Sequence, residues 1–380
     1  MKFYITISGG LGNQMLSYAL WYYLTYHKHL KTEMSPIPNG LLDHNGLEIN
    51  RIFKNTKKIA PEKTNIKKVR HIYKTINKYT NKAREIIGLK RNFDISYILP
   101  IKLIIFPRYY TYTFINEIIE DIKYIFTFPK ESNNRNISIM KEMDCCQSVS
   151  IHIRRGDYQS KLVWRFLLGD ICEEQYYNKA ISYIESKIQN PHYYIFSDDI
   201  EWAKTNLKLT NATYIDWNKG ENSFRDMQLM THCKVNIIAN STFSLMAAWL
   251  NVHNNSIRIV PSKWTNKKPD ITYKKYIPRD WKAIDNSQPF VSIIINENVN
   301  QPIKIIQNIN KQTVSDYEIV LPPKYAFLRY KYPNHNIKVN EVPAGHHIVK
   351  INKDEEWNSK DKYCLQELII KQSFQQSNYE

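Results

Sequence analysis

Strand patterns and helix patterns alternate along residues 148–260, and this alternation constrains the fold more than any other feature of the sequence. Ser148 to Ile153 alternates polar and apolar residues, the period of two that is typical of a strand with one apolar face. Further strand patterns, separated by helical ones, occur at residues 192–196, 213–216, 234–239 and 257–260. Strands joined in this way by helices form a parallel, doubly wound sheet, so the sequence predicts an α/β fold.

Polar residues stand at three of the predicted strand ends. His152, Arg154 and Arg155 lie at or just past the end of the first strand, where Gly156 permits a sharp turn. The other two ends carry Ser197 and Asp198, and Asn240, Ser241 and Thr242. Ligands of open α/β sheets bind outside the carboxyl ends of the strands, and two adjacent arginines suit an anion such as a diphosphate. The alternatives are a solvated turn after an edge strand, simple N-capping by Ser241, and a capping pair of Asp198 with Glu201.

A glycine-rich turn, residues 9–14 with the sequence GGLGNQ, follows the first predicted strand and precedes a helix. This geometry lets the backbone approach a phosphate or a sugar closely. The spacing matches neither the dinucleotide-binding fingerprint nor the phosphate loop of ATPases. A tight turn that needs glycine for its backbone angles explains the pattern equally well.

The formal net charge of +17 predicts an acidic partner, namely nucleic acid, an anionic membrane or a phosphorylated substrate. Thirteen Lys and Arg residues fall in residues 54–91, where Ile66, Val69, Ile72 and Ile76 recur at helical spacing. Such a basic amphipathic helix lies on an anionic membrane surface or packs on the rest of its domain. Nucleic acid is disfavoured as a partner, because the basic cluster lacks aromatic residues interleaved on a strand face.

The five cysteines show no metal-binding spacing and are interpreted as reduced thiols of a cytoplasmic protein. The amino terminus enters a strand pattern directly and has no signal-peptide pattern. No segment reaches the roughly 18 apolar residues that a membrane span requires.

Four motifs together carry a resemblance to a known family: Gly9 to Met15, His152 to Tyr158, Phe196 to Asp199, and Asn240 to Ser244. In this order and spacing they resemble the α-1,2-fucosyltransferases of glycosyltransferase family 11, over about residues 1–285. The resemblance implies a GT-B-like fold with two Rossmann-type domains facing a cleft. The first, residues 1–140, would lie on the acceptor side, and the second, residues 145–287, would bind GDP-fucose.

A small α/β extension, residues 288–380, is predicted after these two domains. Residues 289–321 resemble the opening strand, helix and strand of a family 2 glycosyltransferase. Pro322 and Pro323 stand where that family has an Asp-Asp-Gly-Ser motif, so we interpret the extension as a truncated or degenerate start of such a domain, or as an unrelated small α/β extension.

The family resemblance also implies roles for individual residues. Arg154 matches the arginine that binds the diphosphate, and His152 and Arg155 accompany it. The loop at the phosphate and fucose is matched by Asn240, Ser241, Thr242 and Phe243. Gly10 and Asn13 would approach from the first domain, while Asp198 and Asp226 are candidates for guanine or supporting contacts.

The implied reaction is the inverting transfer of L-fucose from GDP-β-L-fucose to a galactoside hydroxyl, without a metal ion or other cofactor. Asp157 and His152 are both candidates for the general base. The implied acceptor is a galactose-containing oligosaccharide or a lipid-linked glycan, which would place the protein in the cytoplasm, with peripheral contact to the inner face of the bacterial inner membrane.

Three other functions stay open from the sequence. Leu245 and Met246 stand where the family commonly has two tryptophans, which is compatible with a non-catalytic GDP-sugar-binding relative. A differently linked fucosyl product and a basic nucleic-acid-binding protein are the remaining alternatives.

Overall fold

The computed structural model describes residues 3–36, 45–60, 103–105, 113–207, 209–267, 277–358 and 361–374. Most of the basic amphipathic segment, from residue 61 onward, lies outside the described residues. In the described part, no helix is long and apolar enough to cross a bilayer.

The first sheet is parallel, with the strand order β2–β1–β3. Its strands are β1 (Phe3–Ile7), β2 (Thr32–Pro36) and β3 (Leu103–Ile105). The helices of this part are α1 (Leu11–Tyr22), α2 (Ile49–Ile52), α3 (Thr113–Glu117) and α4 (Ile119–Ile125). The apolar residues of α1, among them Met15 and Leu16, are buried, which explains why this helix forms where the sequence pattern predicts it.

The second sheet has six strands in the order β6–β5–β4–β7–β8–β9. They are β4 (Gln147–Ile153), β5 (Pro191–Ser197), β6 (Ala212–Ile215), β7 (Val235–Ile237), β8 (Ile257–Pro261) and β9 (Lys282–Ile284). The neighbouring pairs from β6 to β8 are parallel. Counted from β4, the order is 3-2-1-4-5-6, which is the order of dinucleotide-binding Rossmann folds and has its topological switch point between β4 and β7.

Seven α-helices of the described chain fall between residues 134 and 249. They are α5 (Asn134–Cys145), α6 (Gly156–Ser160), α7 (Leu162–Leu168), α8 (Glu174–Glu185), α9 (Ile200–Asn206), α10 (Phe224–His232) and α11 (Thr242–Trp249). Asn133 caps α5, because its side chain accepts hydrogen bonds from the backbone N–H groups of Arg135 and Asn136.

Strand β4 differs from its predicted pattern of one apolar face. Val149 and Ile151 are fully buried, but so are Ser148 and Ser150 on the other face. Ser150 is accommodated there because its hydroxyl accepts a hydrogen bond from Asn236 Nδ2 at 2.7 Å. A central parallel strand is covered on both faces, so buried serines with hydrogen-bond partners mimic a solvent-facing pattern in the sequence.

The C-terminal extension contains a third parallel sheet, with the order β12–β11–β10–β13. Its strands are β10 (Val291–Ile295), β11 (Tyr317–Leu321), β12 (Ile337–Val339) and β13 (His347–Ile351), and its helices are α12 (Pro302–Ile309), α13 (Leu328–Lys331) and α14 (Cys364–Ile369). The predicted opening strand, helix and strand are present. The sheet continues with two more strands and has its own apolar core, so the extension is a folded module.

The chain divides into two compact units. The first comprises residues 1–154, 180–260 and 274–282, and the second comprises residues 155–179, 261–273 and 283–380. The α/β class is confirmed, and the two predicted Rossmann-type sheets both belong to the first unit. The predicted domain boundaries after residues 140 and 287 stay a prediction, since residues 155–179 and 261–273 group with the extension.

Candidate active site

The carboxyl end of β4, at the switch point of the second sheet, is where the structure concentrates the predicted site residues of the first unit. His152 is the penultimate residue of the strand, and Arg154 follows directly after the strand ends. Strand β7 lies beside β4 and leads into Asn240 and Ser241. Adjacent parallel strands end at the same edge, so these residues share the position at which ligands bind in such sheets.

Arg154 forms an ion pair with Asp198, which follows the neighbouring strand β5. Arg154 Nη1 lies 2.9 Å from Asp198 Oδ2, and both side chains are partly exposed. The family resemblance predicts that Arg154 binds the diphosphate and that Asp198 makes guanine or supporting contacts, and the ion pair joins these two residues. Asp198 therefore orients the Arg154 guanidinium.

Asp199, rather than Asp198, caps helix α9. Its Oδ1 accepts a hydrogen bond from the backbone N–H of Trp202 at 3.2 Å. The alternative in which Asp198 pairs with Glu201 as a helix cap is thus wrong, since the capping position is one residue later. This leaves the Asp198 carboxylate to the arginine.

His152 is buried, with 7% of its surface exposed, and its ring lies 5.6 Å from the ring of Phe243. Burial lowers the pKa of His152 to about 4, and the nearby Arg154 adds to this effect while Asp198 opposes it. The imidazole is therefore neutral at neutral pH.

Helix α11 starts at Thr242, directly after Ser241. Ser241 caps it, because Ser241 Oγ accepts from the backbone N–H of Phe243 at 3.3 Å. Thr242 and Phe243 consequently lie in the first helical turn, and Asn240 is buried just before it. The positive end of the α11 dipole thus faces the same edge of the sheet as Arg154.

The glycine-rich turn of the first sheet contacts the amino terminus of α11. A Cβ atom added to Gly12 would lie 2.5 Å from the carbonyl of Thr242 and 2.6 Å from the backbone nitrogen of Phe243. Glycine at this position is what allows the two helices to approach so closely. The loops at the carboxyl ends of both Rossmann-type sheets meet here, as the predicted GT-B-like fold requires.

The other residues of this turn have different surroundings. Gly9 has a positive φ of 78°, and Gly10 is the N-cap of α1. Asn13 is exposed, and its side chain lies against Gly9. Gly12 makes the contact with Thr242, and Gly10 and Asn13 lie close to it in the same turn.

Gln14 and Glu48 anchor the glycine-rich turn, and sequence reasoning missed this function for both. Gln14 Nε2 donates to the carbonyls of Gly9 and Gly46, and its Oε1 accepts from the Glu48 backbone N–H at 2.9 Å. The buried Glu48 carboxylate accepts from the backbone of Leu11 at the start of α1, and burial raises its pKa. A carboxylate already occupies the start of this helix, so the turn is poorly suited to a phosphate.

Asp226, predicted to contact guanine or to support the site, lies in a separate polar cluster on α10. Its Oδ1 accepts from Asn218 Nδ2 at 2.8 Å, and Asn218 in turn bonds with the buried Asn136. Burial raises the pKa of Asp226 to about 7, more than the hydrogen bond from Asn218 lowers it.

Arg155 and Asp157 belong to the second unit. Arg155 Nη1 lies 2.8 Å and 3.0 Å from the two carboxylate oxygens of Glu173. Burial raises the pKa of Glu173 to about 7, although Arg155 opposes that shift. Asp157 lies in the first turn of α6. Glu173 is another partner that the sequence did not indicate, because nothing in its local pattern marks it.

Within the described ranges, no group of three or more His, Cys, Asp or Glu side chains could hold a metal ion.

Comparisons with known proteins agree with these motifs. The family model described as glycosyl transferase family 11 matches residues 1–285. An alpha-1,2-colitosyltransferase of Escherichia coli is 30% identical over 288 residues, covering 73% of this chain and 97% of the relative. The O-antigen biosynthesis glycosyltransferase WbnK of Escherichia coli is 31% identical over 303 residues, covering 72% and 99%. Human galactoside alpha-(1,2)-fucosyltransferase 1 is 25% identical over 151 residues, covering 37% and 40%.

Proposed function

This chain belongs to glycosyl transferase family 11, and we propose that it transfers L-fucose from GDP-β-L-fucose to a galactoside hydroxyl, forming an α-1,2 linkage in a surface glycan. The observation that carries the proposal is the Arg154–Asp198 pair at the topological switch point, beside the amino terminus of α11. A sugar nucleotide binds at this position of a Rossmann-type sheet.

The leaving group is the first chemical demand of this reaction. As the bond to fucose breaks, the departing GDP gains negative charge on its diphosphate. A guanidinium carries five N–H donors, so the contact of Arg154 with Asp198 is compatible with a simultaneous contact to phosphate oxygens. Arg154 and the α11 dipole together would stabilise this charge, which supports a reaction that needs no metal ion.

The acceptor is the second demand, since its hydroxyl must lose a proton as it attacks the anomeric carbon. A β-linked donor and an α-linked product imply inversion through a single displacement. His152 is neutral at neutral pH and can accept a proton, although a pKa of about 4 makes it a weak base. Asp157 is the other candidate, and both remain in the proposal.

Relatives support the proposed acceptor and cellular context. A galactoside is the acceptor named for the human relative, and O-antigen biosynthesis is named for one from Escherichia coli. We therefore propose a galactose-containing oligosaccharide or lipid-linked glycan as the acceptor. The proposed location is cytoplasmic, with peripheral contact to the inner face of the membrane through the basic segment 54–91.

A colitosyl donor is the second candidate, favoured by the similarity to an alpha-1,2-colitosyltransferase. The alternative of a non-catalytic relative rested on Leu245 and Met246. Both side chains are fully buried in α11, so they fill the core under the nucleotide loop. This packing supports an intact loop, and the experiment below separates binding from turnover.

The decisive experiment measures GDP release from GDP-fucose and from GDP-colitose with a panel of β-galactoside acceptors. We expect acceptor-dependent release by the wild type and a loss of about 10²–10³-fold in kcat for Arg154→Ala, the size seen when a transition-state donor is removed. Arg329→Ala, an exposed arginine of the extension, is the matched control.

Three other outcomes would count against the proposal. Tight GDP binding without release for any acceptor of the panel would indicate a non-catalytic relative. Faster release from GDP-colitose would assign the donor to colitose. An Arg154→Ala variant as active as the wild type would contradict the proposed role of the ion pair.

A further inference from the structure

A chain of side-chain hydrogen bonds joins the end of the C-terminal extension to the segment after the arginine pair, within the second unit. Ser373 Oγ lies 2.7 Å from His347 Nδ1, and His347 Nε2 lies 2.8 Å from Asp170 Oδ2. Gln159 Nε2 donates to the other oxygen of Asp170 at 2.9 Å. His347 and Asp170 are 177 residues apart in sequence, so only the folded extension brings the two ends of this chain of hydrogen bonds together.

Asp170 is the centre of this chain. It has a positive φ of 55°, which is rare for a residue with a side chain and persists only where the surroundings hold it. Arg165 Nε also lies 3.4 Å from Asp170 Oδ2. These partners lower the pKa of Asp170 although its burial opposes the shift, so the group is an anion in the folded protein.

Aromatic packing fixes the same contact. The His347 ring lies 4.8 Å from the ring of Phe290 and 4.8 Å from that of Phe374. The Arg165 guanidinium stacks on Phe374 at 3.7 Å, and Phe166 contacts both phenylalanine rings. With His347 only 6% exposed, the Ser373, His347 and Asp170 side chains form a structural latch and not a hydrolase triad open to substrate.

The short helix α6 connects this latch to Arg155. Gln159 lies on α6, whose N-cap is Arg155, and the Gln159 backbone N–H donates to the Arg155 carbonyl at 2.7 Å. A Cβ atom on Gly169 would lie 2.6 Å from the carbonyl of Tyr158, so the loop is closed tightly on itself. Asp170 also precedes, by three residues, the Glu173 carboxylate that pairs with Arg155.

The extension shows no comparable site of its own at the start of α12. In a strand–helix unit, a nucleotide phosphate would bind at that helix amino terminus. Here Asp354 already occupies it, accepting from the backbone N–H groups of Asn300 and Gln301 at 3.0 Å and 2.8 Å. The family match ends at residue 285, so it assigns the extension no function.

We propose that the C-terminal extension positions the Arg155–Gly156–Asp157 turn through the contact of His347 with Asp170. This inference depends on the proposed function only for its kinetic consequence, namely that a correctly placed turn favours binding of the sugar-nucleotide diphosphate. His347 and Asp170 are positioning residues, because they act through Gln159 and α6.

The test compares three variants of the full chain. His347→Phe keeps the aromatic packing but removes both hydrogen bonds, and His347→Gln restores a donor to Asp170. The matched control is His335→Phe, which removes a histidine that bonds with Tyr317 elsewhere in the extension. Hydrogen exchange of peptides covering residues 156–170 is measured first, followed by the KM for the donor and kcat.

We expect exchange in residues 156–170 to rise by about tenfold in His347→Phe, since the latch no longer holds this segment closed. The KM for the donor should rise several-fold with kcat changed less. Both effects should be reversed in His347→Gln and absent in His335→Phe.

Unchanged exchange in His347→Phe would overturn the proposal, as would an equal increase throughout β10–β13, which would show a general loss of stability. If the wild type transfers no sugar, the proposed function fails. The exchange experiment still decides whether the extension positions the turn.

Discussion

The buried environment of Asp226 allows an experiment to distinguish a structural role for this residue from the predicted guanine contact. Its folded-state pKa of about 7 lies above the ordinary 3.8, so the folded protein favours the protonated form. The stabilisation from this group is fully present below about pH 4, and it is lost as the pH rises through 7.

Asp226→Asn should therefore remove a pH-dependent loss of stability. We expect the variant to be more stable than the wild type at pH 8, by roughly 3–4 kcal/mol, and about equal to it at pH 4. Thermal unfolding across this range checks the expectation, with Asp280→Asn, a change of an exposed aspartate, as the control. Unchanged stability at pH 8 together with weaker GDP binding would instead support the predicted guanine contact.

At the scale of elements, the contact between α1 and α11 sets how the two Rossmann-type sheets meet. Gly12→Ala would place a methyl group against the Thr242 backbone, which cannot move without shifting the start of α11. We expect a loss of roughly 1–3 kcal/mol in unfolding free energy, as for other overpacked sites, and a higher KM for the donor. Denaturant unfolding and donor kinetics measure both.

Gly46→Ala is the informative comparison for this prediction. Gly46 has a positive φ of 73°, but an added Cβ there meets no atom within 4 Å. Gly46→Ala therefore introduces backbone strain at a positive φ, but its new methyl group contacts no other atom. If Gly12→Ala affects the donor KM no more than Gly46→Ala does, the close approach of the two helices is not what matters.

The elements also show what local sequence can predict. Strand β4 and its following arginines were located correctly, because period-two alternation and a glycine turn are local signals. The start of α11 has no unambiguous local signal, since Ser241 and Thr242 suit both a loop and a helix cap. The pairing of Arg155 with Glu173 had no local signal, because it arises only when the segments have folded against each other.

At the scale of the whole molecule, three parallel sheets follow one another in the chain, but the compact units do not follow the order of the sequence. Residues 155–179 belong to the Rossmann-type sequence and yet group with the extension. A contact such as His347–Asp170 has no signal in the order of the elements along the chain. Curated relatives that match nearly end to end cover about three quarters of this chain.

Removal of the extension should consequently destabilise residues 1–285, the part of the chain that matches the family. A chain truncated after Ser287 loses Asp316, the partner of the buried Lys263 Nζ, and the Phe290 and Phe374 rings that cover Phe166. Removing one partner of an ion pair that stays buried costs about 3–5 kcal/mol, which is the loss expected for Asp316→Asn in the full-length chain. We expect lower thermal stability, proteolytic cleavage within residues 155–179 and weak donor binding, with full-length Asp316→Asn showing an intermediate loss of stability. A truncated chain that unfolds at the wild-type temperature and binds GDP equally well would show that the extension is dispensable for stability and donor binding.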